Sequence, residues 1–484
     1  MNDHQPICTV ILKNEVAAVI TGVHRDDMAI LVDEFSEFVP GYKHMPLFKM
    51  KVWDGKTQFV TITGKTYQAF LPELSRRLME MGYRIKLRDD RPPIQINVPL
   101  IDNTQFASSD WTHRPHQVAA INAVAANDHR GIIIAATSAG KTAMCAGISE
   151  LYGRIGFRSI IIVPNRDLIR QTLAKYLEFG LDTGQYSGTV KDLDHQHVIS
   201  TWQALKNHPE ILLTFQVFVC DEVQGAKSPV VTKLLIKYGS HIPVRVGCTG
   251  TLPKDPADYQ TIYAAIGAKE IYTITAKELQ DQGLVATIHI TQVITHDSDN
   301  PYEEQFAEFS MEQAALLVND DRTRWIANFF KAIADTQGNT LVLVGSVKLG
   351  KQLAKFAGKD RCVFLYGQDK DEVRQAVYES FATNDNLLVF ANVQIAAVGL
   401  SIDRIYNLGL VDIGKAFTRC IQSIGRGLRM AADKSHVEVY DVSSNYSFSG
   451  SHTPKRAAYY DEAHYPHEAI KVRYKRVDTK RVKW

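Results

Sequence analysis

The sequence predicts an α/β protein in which two successive parallel-sheet units of similar size follow a small α+β domain. The first observation is a run of apolar, β-rich segments of four to six residues alternating with helix-length segments: Gly131–Ala135, Ser159–Val163, His197–Ser200, Val217–Cys220 and Pro243–Gly247. Strands that are apolar throughout, instead of alternating, belong to a sheet covered on both faces. The second is that the pattern restarts, with Thr340–Val344, Cys362–Tyr366, Asn386–Ala391, Ile405–Leu410 and Val437–Val442. The third is that the first 96 residues do not follow it. They mix short strand-like runs (Thr9–Leu12, Phe59–Thr63, Tyr83–Leu87) with helical patterns (Asp26–Phe38, Pro72–Met81).

Asp89–Pro93, a charged and proline-containing break, reads as a linker. The stretch Lys269–Thr295 interrupts the strand pattern and reads as the divide between the units. The organisation expected is an N-terminal accessory domain (1–96), a first lobe (97–290), a second lobe (291–450) and a basic C-terminal tail (451–484). In the tail Lys471, Arg473, Lys475, Arg476, Lys480, Arg481 and Lys483 are opposed only by Asp478. That tail is either a salt-sensitive contact for phosphates or simply solvated.

At 484 residues the chain is too long for one core. Its 45% hydrophobic and 22% charged residues are those of an ordinary globular protein, which sets aside the disordered and fibrous classes. No signal-peptide pattern and no apolar run of membrane-spanning length occurs, so a soluble protein of the cytoplasm, needing no membrane and acting as a monomer, is expected. The scattered Cys8, Cys145, Cys220, Cys248, Cys362 and Cys420 contain no CxxC pair and read as reduced thiols.

Chemistry enters where Gly131–Ala135 runs into Ala136-Thr137-Ser138-Ala139-Gly140-Lys141-Thr142 and then a helical pattern, Met144–Tyr152. Strand, small-residue turn and helix N-terminus together aim backbone N–H groups and the helix dipole at phosphates. Lys141 would reach the β- and γ-phosphates, and Thr142 would ligate Mg²⁺. The strict pattern wants glycine where Ala135 stands.

About eighty residues on, the apolar strand Val217–Cys220 ends in Asp221 and Glu222, at the carboxyl edge where ligands bind in open α/β sheets. Asp221 would hold Mg²⁺ through water and Glu222 would polarise the attacking water. Thr249-Gly250-Thr251 follows the next strand; its hydroxyls could bond the acidic pair, or the segment could be only a turn. Gln422–Arg429 (QSIGRGLR) places Arg426 and Arg429 three apart on one helix face, suited to a γ-phosphate in transit, or else a solvated helix end. The second unit has no phosphate loop of its own, so its arginines imply a nucleotide bound between the units.

These residues, in this order, resemble the superfamily-2 helicases, whose two motor lobes are RecA-like. Arg114-Pro115-His116-Gln117 resembles the adenine-reading motif, with Arg114 and Gln117 as nucleotide contacts. Ala136–Thr142 resembles motif I, in which Thr137, Ser138, Ala139 and Gly140 would also hold ATP. Ile161–Arg166 resembles motif Ia, and Ser200–Gln203 a later strand-contacting motif. Asp221–Gln224 resembles motif II and Thr249–Thr251 motif III. In the second unit Leu343–Ser346 resembles motif IV, Ala391–Ile402 motif V with Gly399 near the nucleotide, and Gln422–Arg429 motif VI, with Gln422 among the catalytic set. The resemblance covers roughly residues 108 to 445. It implies an ATP- and Mg²⁺-dependent motor with Pro164, Arg166, Thr201, Gln203, Ser346 and Asn392 on nucleic acid. Motif II ends in Gln224 instead of His or Asp, and motif V carries Asn392 and Ser401 where relatives have Thr and Asp, so the contacts at those points are expected to differ.

The N-terminal region, Phe38–Tyr42 followed by Phe48–Lys56, resembles that of phage helicases of the UvsW type, which act on branched DNA. The implied function is to unwind or branch-migrate forks and Holliday junctions in phage replication, recombination or repair. Lys49, Lys51, Trp53 and Lys56 would supply cations for phosphates and a ring for bases, although Phe48, Val52 and Trp53 read equally as that domain's core. Three alternatives stay open: an RNA helicase, a double-strand DNA translocase subunit that separates no strands, and a binding module on a dead motor scaffold. The last conflicts with the presence of Lys141, Asp221, Glu222, Arg426 and Arg429 together.

Overall fold

The computed structural model describes residues 5–102, 111–136, 139–267, 270–284, 286–298, 306–358, 360–393, 404–414, 436–462 and 465–474. They form two compact units, Met1–Ile274 and Thr275–Trp484.

The N-terminal part of the first unit contains β1 (Ile7–Leu12), β2 (Ala17–Thr21), β3 (Ser36–Phe38), β4 (Lys56–Gln58), β5 (Lys65–Tyr67) and β6 (Arg84–Asp89). Four of these make a sheet in the order β5-β2-β1-β6, with β1 parallel to β6 and antiparallel to β2. Cys8, Val10 and Ile20 on one face pack against Met28 and Leu31 of the helix Arg25–Glu34 and Leu74 and Leu78 of the helix Leu71–Glu80. β3 and β4 pair as a separate two-stranded ribbon. The strand expected at Phe59–Thr63 is not formed there: Phe59 and Val60 are buried in the core, and the ladder pairs lie before and after them. The helix expected over Asp26–Phe38 ends at Glu34, and its last residues become β3.

This small domain is tied to the motor lobe. The amide of Glu15 donates to the carbonyl of Ser240 over 2.8 Å, and the Glu15 carboxylate accepts from Arg91 over 2.8 Å and from Arg130. Ala264 and Tyr263 of the helix Pro256–Ile266 enter the small domain's core.

The lobe's sheet comprises β7 (Arg130–Ala135), β8 (Ser159–Ile162), β9 (Thr183–Tyr186), β10 (His197–Ser200), β11 (Val217–Asp221), β12 (Val244–Thr249) and β13 (Glu270–Ile274), all parallel, in the order β13-β7-β12-β11-β8-β10-β9. Burial on both faces explains the continuous apolar runs: Ile160, Ile161 and Ile162 are all inaccessible. Within the lobe Arg245 is fully buried and forms no ion pair among the described residues. It donates to the carbonyls of Gly239, over 2.6 Å, and Ala265, at the carboxyl end of a helix, and burial lowers its pKa to about 9.

The second unit repeats the plan with β14 (Thr287–Thr295), β15 (Thr340–Val344), β16 (Cys362–Leu365), β17 (Leu388–Asn392), β18 (Asn407–Val411), β19 (His436–Ser444) and β20 (His467–Val472), in the order β16-β17-β15-β18-β19-β14-β20 and again parallel. Beneath it Arg322, fully buried, donates both terminal nitrogens to Asp412 over 2.7 and 2.8 Å.

Two expected boundaries move. The divide at 290/291 would cut β14, a strand of the second sheet; its Thr, His and Gln residues hid it. The supposed interruption contains β13, the edge strand beside β7, and then β14. The tail expected from 451 begins inside the helix Ser447–Glu462, and β20 follows as an edge strand on β14. Tyr474 is still anchored, accepting from Asn319 over 2.6 Å. Residues 475–484, with most of the basic cluster, lie outside the described residues. The five described cysteines are free thiols.

Candidate active site

β7 delivers the chain to the phosphate loop, and the helix Lys141–Gly153 leaves it. Gly140, at the helix N-cap, has φ +84, and a Cβ there would stand 2.2 Å from the side-chain nitrogen of Gln117. Only glycine fits. Ala135 needs no such freedom, because it is still in the ladder, paired with Ile274; this accounts for the departure from the strict pattern. The Lys141 ammonium donates to the Ala135 carbonyl over 3.2 Å, and a Cβ on Gly250 would lie 3.8 Å from its nitrogen. Gly250 of Thr249-Gly250-Thr251 thus lies beside Lys141, at a distance where a Cβ would make only ordinary van der Waals contact. Thr142 is half-buried in the first helical turn, and Thr137 and Ser138 lie outside the described residues.

Gln117 is placed differently from the expectation of a base contact. Its oxygen accepts from the Arg114 amide over 2.9 Å and its nitrogen donates to the Ala139 carbonyl over 3.1 Å, so both polar ends are engaged inside the protein. His116 Nε2 also bonds the Ala139 carbonyl, at 2.8 Å, and must carry the proton to do so; burial lowers its pKa, which keeps the ring neutral. The sequence reading missed His116 as a support of the loop. Its only signal was its place beside Gln117. Arg114 is exposed.

At the end of β11, burial first and the neighbouring Glu222 second push the Asp221 carboxyl up to about 6, against the pull of Lys141. Glu222 sits in the left-handed region at φ +54, and its amide donates to Asp221 over 3.0 Å. A non-glycine residue held there stores about 1–3 kcal/mol of strain. Its carboxylate accepts from the Gln224 side chain over 2.7 Å, and Gln224 in turn accepts from the Thr249 hydroxyl over 2.5 Å. Motif III thus reaches the acidic pair through Gln224, not directly.

The remaining expected contacts occupy carboxyl edges of adjacent strands. Pro164 follows β8 and Thr201 follows β10, which pair with each other. Arg166 and Gln203 are exposed, whereas Thr201 is buried and caps the helix Trp202–Asn207, its oxygen accepting from Ala204 over 3.4 Å. In the second unit Ser346 caps the helix Val347–Ala357, accepting from Leu349 over 3.2 Å. Asn392 is buried, contrary to a nucleic-acid contact, and donates to the Val344 carbonyl of the neighbouring strand at 3.5 Å. Gly399, Gln422, Arg426 and Arg429 lie outside the described residues.

The N-terminal cluster divides. Trp53 donates its indole N–H to the Lys56 carbonyl over 2.8 Å, and Lys56 pairs with Asp33 at 2.6 Å; both hold the domain together. Lys49 and Lys51 are exposed and form no ion pair among the described residues.

Two tandem parallel sheets, with a phosphate loop and a half-buried acidic pair in the first, define a nucleic-acid motor. The family model "Type III restriction enzyme, res subunit" matches residues 110–254, and "Helicase conserved C-terminal domain" matches residues 324–431. The chain belongs to the superfamily-2 helicases and is an ATP-dependent enzyme of that class. Within the class it is similar to the ATP-dependent DNA helicase UvsW of Enterobacteria phage T4, 22% identical over 441 residues that cover 85% of this chain and 86% of that one. Its fold is that of a fragment assigned to an HsdR subunit of a type I restriction enzyme from Vibrio vulnificus (18% identity, TM-score 0.56, 78% of this chain and 72% of that one). It is also that of the Type ISP restriction-modification enzyme LlaBIII bound to DNA (12% identity, TM-score 0.57, 83% of this chain and 34% of that one).

Proposed function

We propose that this helicase acts on branched DNA, unwinding or migrating forks and Holliday junctions in phage replication, recombination or repair. The observation that carries the reading is the extent of the likeness to UvsW. At 85% of the chain it is longer than the two lobes together, so it takes in sequence outside the motor. The exposed Lys49 and Lys51 give the N-terminal domain cations for a DNA arm.

In the nucleotide site Gly140 opens the loop, Lys141 binds phosphate, and Glu222 orients and deprotonates the attacking water. Mg²⁺ fits the donor set: Asp221 and Glu222 are adjacent, half-buried carboxylates at the end of β11, and burial first and Glu222 second raise the Asp221 pKa, a cost that a bound cation would relieve. Asp221 and Thr142 would hold the ion, which neutralises charge developing on the phosphates. Arg426 and Arg429 stabilise the same transition state.

The test is ATPase and unwinding by the full chain on matched fork, Holliday junction, linear duplex and RNA. Equal rates on fork and linear duplex would remove branch selectivity. A second reading, translocation on duplex without strand separation, draws on the restriction-subunit model that matches the first lobe. Displacement of a third strand from a duplex with no unwinding would favour it.

A further inference from the structure

Between β3 and β4 the chain makes an excursion over residues 39–55 that presents its aliphatic side chains to solvent. Leu47 is 55%, Met50 68% and Val52 69% exposed, with Met45 at their edge. Such clustering within eight residues has no packing purpose inside this domain.

The exposure is built, not loose. The neck is closed by the Val39 amide on the Gly55 carbonyl at 2.8 Å, and the tip by Val52 on Leu47 at 3.0 Å and Met50 on Pro46 at 2.9 Å. The aromatic residues pack on one another: Tyr42 stacks on Phe38, itself 47% exposed, with centroids 4.6 Å apart and meets Phe48 edge-on at 4.8 Å. Gly55 is required beneath them, since a Cβ there would stand 2.4 Å from the Tyr42 ring. The rings fix the loop, and the aliphatic tip is left over.

The charge of the tip selects its occupant. The exposed Lys43, Lys49 and Lys51 alternate with these residues along the chain and form no ion pair among the described residues, and the only carboxylate of residues 39–55 is Asp54. Exposed apolar side chains interspersed with cations match a base step flanked by phosphates, because unbranched and branched aliphatics can enter between bases while lysines hold the backbone.

We propose that Leu47, Met50 and Val52 form a wedge that enters the branch point and unstacks its bases, with Lys43, Lys49 and Lys51 on the flanking phosphates. The proposal rests on the branched-DNA reading above. It assigns base separation to the N-terminal domain before any ATP is used.

The experiment places 2-aminopurine either at the branch point or in the middle of an arm of a fork, and adds the full-length protein without ATP. The expected result is a fluorescence rise at the branch point and none within the arm. The Leu47→Ser, Met50→Ser, Val52→Ser triple variant should lose that rise while binding the fork within about threefold, as expected if the lysines supply the salt-dependent affinity. Lys49→Ala with Lys51→Ala should instead flatten the log K against log salt slope by about 1.8, at about 0.9 per lost phosphate contact. Thermal unfolding controls for the fold. A rise undiminished in the triple variant, or equal within the arm, overturns the wedge, as does no rise with the wild type, the result expected of a protein-docking surface. Absence of fork preference with a branch-point rise intact would instead count against the selectivity proposed above.

Discussion

The hydroxyl of Thr249 donates to the side-chain oxygen of Gln224 over 2.5 Å, and through Gln224 it is joined to the Glu222 carboxylate. Gln224 replaces the usual acidic or histidine end of motif II with a neutral amide that donates to one partner and accepts from the other. Both Gln224→Ala and Thr249→Val should therefore leave ATP hydrolysis within a few-fold of normal; the first should reduce strand separation by about 10–100-fold, the worth of one hydrogen bond to a charged group, and the second, which removes a bond between neutral groups, by about 2–10-fold. The check is ATPase and fork unwinding on the same preparation; a parallel fall in both would mean the contact serves chemistry and not coupling.

Lys141→Ala should abolish turnover while DNA affinity stays within a few-fold. The ammonium lies on the phosphate-loop carbonyl of Ala135, and none of the residues proposed for DNA touches it. Turnover near the normal rate in the purified variant would refute the assignment.

Asp221 gives the site a pH dependence. Its folded pKa, about 6, lies above the ordinary 3.8, so in the nucleotide-free protein the stability it contributes is present below about 4 and lost as pH rises through 6. Metal binding runs the other way, because the ion needs the ionised carboxylate. Mg²⁺ affinity in the presence of ADP should rise between pH 5 and 7 with a midpoint near 6, and Asp221→Asn should remove the midpoint. Calorimetric titration across that range is the measurement.

Arg426→Ala and Arg429→Ala should each bind ATP nearly normally and slow its hydrolysis by about 10³–10⁵-fold, since such arginines act chiefly on the transition state. Weakened nucleotide affinity with unchanged turnover at saturation would show that they act on the ground state.

Arg322→Met should destabilise the second unit by about 3–5 kcal/mol, because Asp412 would be left buried without its bidentate partner. Denaturant unfolding of the full chain reads this as loss of an early or late transition. Arg322→Met together with Asp412→Leu should recover only part of it, because the buried Asp297, 3.2 Å from the same guanidinium, would still lack its cation.

Much of the motor was legible because its strands are buried on both faces. Thr340–Val344 and His197–Ser200 have the ends expected of them, and neither contains a residue that contradicts a buried strand. β14 was missed because a strand buried among polar networks, with Gln292 and Thr295 bonded inside, carries no continuous apolar run. β13 and β20 were missed because edge strands expose one side. Within the site, Lys141, Asp221 and Glu222 could be named from local order alone. The role of His116 could not, since it depends on contact with a loop far away in sequence.

β7 has one further consequence. Its first residue, Arg130, grips Glu15 of the small domain, and the carbonyl of its last, Ala135, holds Lys141. Those six residues form a strut of about 20 Å, stiffened by a neighbour on either side. On the branched-DNA reading proposed above, load applied to the small domain by a DNA arm would pass along that strut to the phosphate grip, so the part that meets resistance and the part that burns fuel would be two ends of one rod.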